Sequence, residues 1–79
     1  MKELVEFIVK SIVDNPDEVS VVEIDGPTET FIELSVEQGD MGRVIGKRGR
    51  VINSIRALVQ VLAAKKGKNV SLELVEEDA

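Results

Sequence analysis

The sequence predicts an α+β domain of element order αββααβ, with one three-stranded sheet and its helices packed on a single face. Two segments, residues 2–13 and 50–66, carry apolar residues at helical spacing. Three others, 20–25, 29–36 and 69–75, read as strands, and the second and third alternate apolar with polar residues. Gly, Pro and Asn stand at most of the joints between them.

At 79 residues there is room for one domain, spanning 1–79. A chain of this size buries roughly 60% of its unfolded surface, so its core is marginal. It has neither cysteine nor histidine, which removes disulfides, thiolate metal sites and the commonest general base. No cofactor is expected, and a second subunit is a natural source of further buried surface. The segment Met1-Lys2-Glu3-Leu4-Val5-Glu6 lacks the basic-then-apolar order of a signal peptide. No apolar run approaches a membrane span. The expectation is a cytoplasmic protein without a membrane partner.

In the first helix Leu4, Val5, Ile8 and Ile12 share a face. Asp14-Asn15-Pro16 ends it, since the residue before proline is pushed out of the helical region. Asp25-Gly26-Pro27-Thr28-Glu29 turns the first strand into the second, where Ile32, Leu34 and Val36 oppose Phe31, Glu33 and Ser35. Asp40 is read as the N-cap of a short helix ending at Ile45, closed by Gly46 in a left-handed conformation. The long helix has its main stripe at Val51, Ile55, Leu58 and Leu62, flanked by Ile52 and Val59, with Gly67 as cap. In the last strand Val70, Leu72 and Leu74 alternate with Ser71, Glu73 and Val75, and residues 75–79 are expected to fray. If even-numbered residues face the helices, the outer sheet face carries Glu23, Asp25, Glu33, Glu37 and Glu73, and is acidic.

Charge is segregated along the chain. Residues 1–40 hold eleven acids against Lys2 and Lys10, residues 41–72 hold eight Lys or Arg and no acid, and four acids follow. A basic segment inside an acidic chain predicts a localised anion site. At its centre Gly46-Lys47-Arg48-Gly49 joins two helices. Such a turn leaves the N–H groups of the second helix unpaired and lets a phosphate come close. Lys47 and Arg48 lie at the tip, and Val44, Ile45 and Ile52 are expected to floor a groove for unstacked bases.

Val44-Ile45-Gly46-Lys47-Arg48-Gly49, followed by Ile52 and Ile55, resembles the KH domain family, whose GXXG loop clamps about four nucleotides. The element order is similar to the type II, prokaryotic arrangement. Asp40-Met41-Gly42-Arg43-Val44-Ile45-Gly46-Lys47, Gly49-Arg50 and Ile55-Arg56 narrow the likeness to small bacterial single-KH proteins of the KhpA kind, over essentially the whole chain. The resemblance implies single-stranded RNA as partner, with Gly46 and Gly49 shaping the loop. Lys47 and Arg48 would touch phosphate, and Ile45 and Ile52 would line the groove. It also implies an RNA chaperone or regulator linked to cell-envelope growth and cell shape, acting as a homodimer or as a heterodimer with a second KH-containing protein. Arg43, Arg50 and Arg56 join the RNA-binding set on charge and position.

Other glycine-loop chemistries fit less well. A Walker A loop needs four residues between its first glycine and the Gly-Lys pair, then a hydroxyl; Gly42 is followed by three, and Arg48 takes the hydroxyl position. No G-x-G is present for a dinucleotide, and Phe7 and Phe31 are too few to stack bases in the manner of an RRM. Without histidine or cysteine, and without a base beside Ser54 or Ser71, catalysis is not expected. The competing reading is a protein-interaction module with a vestigial loop. On the long helix Val61 lies about 80° outside the main stripe, with Ala57 and Ala64 on its side, and these three are the expected dimer face.

Overall fold

The computed structural model describes residues 1–75. The expected fraying of the tail beyond Val75 lies outside the described residues. The elements are α1 (Lys2–Ile12), β1 (Ser20–Asp25), β2 (Glu29–Ser35), α2 (Met41–Ile45), α3 (Arg50–Lys65) and β3 (Asn69–Leu74). Single 3-10 turns occupy Pro16–Glu18, Gln38–Asp40 and Lys47–Gly49. The αββααβ order is the expected one, and no boundary moves by more than one residue. No described helix is long and apolar enough to cross a membrane.

β2 is the central strand, antiparallel to β1 and parallel to β3. A parallel neighbour requires a crossover, and α2 and α3 supply it. Val21, Ile32, Leu34 and Leu72 of the sheet meet Val5 and Val9 of α1, Val44 of α2, and Ile52, Ile55 and Val59 of α3 in one core. The helices thus share one face of the sheet, and among the described residues both β1 and β3 keep a free edge.

Four expectations are corrected by tertiary packing. The seam of α3 runs through Ile52, Ile55, Val59 and Ala63, while Leu58 is 52% exposed. The helix is apolar over more than half its circumference, so two stripes compete in the sequence. The sheet takes the one in which the small, fully buried Ala63 admits close approach. In α1 the fully buried residues are Val5 and Val9, with Leu4, Ile8 and Ile12 only half-buried.

The outer sheet face is not the acidic surface expected. Val21 pairs with Leu34 and Glu23 with Ile32, so odd-numbered residues of β1 share a face with even-numbered residues of β2. Four residues separate the closing pair Asp25 and Thr30, and an even count reverses the parity. The outer face therefore carries Val22, Ile24 and Phe31, each about half exposed, beside Glu33 and Glu73. Glu23 turns inward to the start of α1, accepting a hydrogen bond from the Lys2 N–H at 2.9 Å.

Asp40 does precede α2, but its side chain makes no cap hydrogen bond there. It is 2% exposed and accepts from the Asp14 N–H, the Asn15 N–H and the Asn15 side chain at 3.0–3.1 Å. Burial alone would raise its pKa. The hydrogen bonds from Asp14 and Asn15, with the nearby Arg43, outweigh that and hold it below the ordinary 3.8. The carboxylate thus ties the end of α1 to the start of α2.

Candidate nucleic-acid interface

α2 stops at Gly46, whose N–H donates to the Gly42 carbonyl at 2.9 Å. Gly46 has φ 75° and ψ 176°, a region open essentially to glycine alone. A Cβ there would also collide with the Val51 side chain. The following 3-10 turn closes with the Gly49 N–H on the Gly46 carbonyl at 3.2 Å. Gly49 is left-handed, with φ 75° and ψ 15°. Both glycines therefore have positive φ as expected, although Gly46 is extended rather than helical in ψ. Between them Arg48 is left-handed as well, at φ 58° and ψ 27°, a conformation that costs a non-glycine residue on the order of 1 kcal/mol.

This chain path places Gly49 at the N-cap of α3 with no side-chain cap. The positive end of the dipole of this 16-residue helix thus meets the turn without a side-chain cap, although the Arg50 N–H already returns to the Lys47 carbonyl, so the first amide is not free as expected. Lys47, Arg48 and Arg50 surround the turn, all exposed and none in an ion pair with a described residue.

Beside the turn lies an open groove of about 480 Å³ between α2, α3 and β3. Met41, Ile45, Ile52 and Leu74 form its apolar lining, and Arg56 and Glu73 its charged rim. Ile45 is 37% exposed and Ile52 only 5%, so Ile45 offers most of the surface. Val44 is fully buried in the core and does not reach the groove, contrary to expectation. Arg56 is held in place: its Nε donates to the Leu72 carbonyl at 3.0 Å and its Nη1 to the Asn53 Oδ1 at 3.2 Å.

The remaining cations disperse. Arg43 turns away to Asp14, with Nη2 to Oδ2 at 3.4 Å. Lys65, Lys66 and Lys68 follow at the far end of α3, about 24 Å from the loop, and Lys68 pairs with Asp25 at 3.6 Å. The basic segment is one block in sequence and two in space. Met41, Glu73 and Leu74 were missed as lining residues. Met41 is adjacent to the motif and legible in principle, whereas Glu73 and Leu74 arrive only through the β3 crossover. Ala57, Val61 and Ala64 are all exposed on α3, and the corrected seam adds Leu58 and Leu62 to that outward apolar surface.

The model of the family described as "KhpA/KhpB, KH domain" matches residues 2–74. The chain is 49% identical over 74 residues to the RNA-binding protein KhpA of Borreliella burgdorferi, covering 94% of this chain and 90% of that protein. It is 51% identical over 75 residues to the protein of that name from Caldanaerobacter subterraneus, covering 95% and 100%. With the one from Chlamydia trachomatis identity is 46% over 77 residues, covering 98% and 99%.

Proposed function

The chain belongs to the KhpA/KhpB KH-domain family, and from that premise we propose that it is a non-catalytic protein that binds single-stranded RNA. The backbone of the RNA is held at the Gly46–Gly49 turn by Lys47, Arg48 and Arg50, beside the positive end of the α3 dipole. Bases lie on Ile45 and Ile52, with Arg56 at the rim. The observation that supports this most is the combination of three cations without an ion-pair partner among the described residues, a helix start with no side-chain cap and an adjoining aliphatic groove. Arg43 is the weakest member of the set, because Asp14 holds it.

Phosphate contacts supply affinity and little sequence information, so binding is weak and broadly tolerant. The fitting role is that of an RNA chaperone or regulator in the cytoplasm of a bacterium. Self-association, or pairing with a second KH-containing protein, adds avidity by bringing a second site to the same strand. The outward surface of α3 around Ala57, Val61 and Ala64 serves this contact.

Fluorescence anisotropy of labelled single-stranded RNA at two salt concentrations tests the first claim. Wild type binds with a log–log salt slope of about −0.7 per phosphate neutralised. A Lys47→Asp, Arg48→Asp double variant that keeps its circular dichroism spectrum loses binding. Equal affinity of the two proteins refutes the loop assignment and favours the interaction-module reading. For the second claim, Val61→Asp lowers the mass measured by light scattering; an unchanged mass removes α3 from the interface.

A further inference from the structure

The sheet face turned away from the helices carries an apolar cluster that the RNA-binding reading does not use. Ile24 of β1 and Phe31 of β2 are register partners, and Val22 lies on the same face two residues back along β1, opposite Glu33. All three apolar side chains are about half exposed. One exposed apolar residue needs no explanation, whereas a cluster that spans two strands and is rimmed by charge has the pattern of a contact surface. The rim is of one sign. Glu29 and Glu33 stand two residues to either side of Phe31 on β2, and Glu73 of β3 is the register partner of Glu33. The three strands contain no Lys or Arg, and none of these carboxylates forms an ion pair with a described residue. Lys68, just before β3, is taken up by Asp25 at 3.6 Å.

We propose that this face docks a basic amphipathic helix of another protein, its apolar stripe on Val22, Ile24 and Phe31 and its Lys or Arg side chains against Glu29 and Glu33. Charge decides the occupant. A second copy packed face to face would set these carboxylates against their own counterparts, and an anionic bilayer or a nucleic acid would meet the same repulsion. Backbone pairing decides the conformation. The central strand β2 is hydrogen-bonded to a neighbour on each side, so an extended segment lying across the face finds no partners there for its own N–H and C=O groups. A helix satisfies these groups itself. Pairing at the β1 edge is opposed by Glu23, a charge directed inward from that strand. Same-face residues of a strand stand about 6.7 Å apart, so Glu29, Phe31 and Glu33 form a row about 13 Å long. A helical turn rises about 5.4 Å, so an apolar residue with a cation one turn before it and one turn after it matches that row. The helices α2 and α3 cover the opposite face of the sheet, so the proposal stands apart from the RNA-binding reading.

The test is an NMR titration of the full chain with a synthetic amphipathic helix built from Leu and Lys. One control peptide has Glu in place of each Lys, and a second has the same residues in an order that forms no apolar stripe. The Leu–Lys helix shifts the backbone amides of Val22, Ile24 and Phe31, and neither control does. Phe31→Thr, a strand-forming residue at an exposed position, keeps the circular dichroism spectrum and weakens binding about tenfold. Ile24→Thr, at the register partner, is the second variant and behaves alike. Glu29→Gln, Glu33→Gln together weaken binding about threefold at low salt. The proposal is overturned if the shifts fall on the outward surface of α3 instead, if either control peptide binds equally well, or if Phe31→Thr and Ile24→Thr bind as wild type does. A shift of the same amides with protein concentration alone, lost in Phe31→Thr, gives the face to a second copy and overturns it as well.

Discussion

Gly46 lies so close to the first turn of α3 that a Cβ built on it would stand 2.9 Å from the Val51 amide nitrogen. The obstacle is backbone, which cannot rotate aside. The approach also keeps the turn short and leaves the start of α3 open to solvent.

Gly46→Ala therefore costs about 2 kcal/mol or more, from a backbone region that alanine avoids together with the collision at Val51. Gly49→Asn costs about 1 kcal/mol or less, because asparagine tolerates the left-handed conformation and the nearest neighbour of a Cβ, the Asn53 Nδ2, is an ordinary 3.5 Å away. Urea denaturation of the two variants checks the order; equal losses contradict it.

Arg48 occupies a left-handed conformation that glycine adopts without strain. In Arg48→Gly the relief is offset by the greater freedom of the unfolded chain, so stability changes by less than about 1 kcal/mol. RNA affinity falls, and the salt slope shrinks by about 0.7, the share of one phosphate contact. A variant with an unchanged slope takes Arg48 out of the interface.

The rotated seam of α3 is open to a direct comparison. Val59→Ala removes two buried methyl groups and costs about 2 kcal/mol. Leu58→Ala, although it removes more atoms, changes monomer stability by about 0.5 kcal/mol or less, because Leu58 is half exposed. Chemical denaturation at low protein concentration reads both, and the reverse order restores the stripe expected from sequence.

Asp40 has a folded pKa below its ordinary 3.8. Its contribution is fully present above that ordinary value and is lost as pH falls through the lowered folded one. Thermal melts should show Asp40→Asn less stable than wild type by several degrees at pH 7, with the gap narrowing as pH falls below 3.8. A gap independent of pH assigns the loss to packing rather than to the charge-assisted hydrogen bonds.

Much of this was legible in the sequence because it rests on local rules. Asp14-Asn15-Pro16 stops a helix wherever it occurs, and Gly67 takes φ +71° as a helix-ending glycine does, with the Lys68 N–H returning to the Ala63 carbonyl at 2.9 Å. Asp40 was placed correctly at the start of α2 and given the wrong task. Its partners Asp14 and Asn15 are 26 and 25 residues away, beyond the range of any capping rule.

By itself, the sequence determined the element order, the positions of the turns, and the Gly46–Gly49 loop ringed by Lys47, Arg48 and Arg50. Each follows from backbone preferences and spacing within a few residues. Tertiary structure decided which of two apolar stripes on α3 is buried, which face of β1 is outward, and which cations remain at the loop. It also brought Glu73 and Leu74 of β3 to the rim of the groove. These depend on strand register and on the crossover through α2 and α3, which couple residues far apart in the chain through packing that no local pattern encodes.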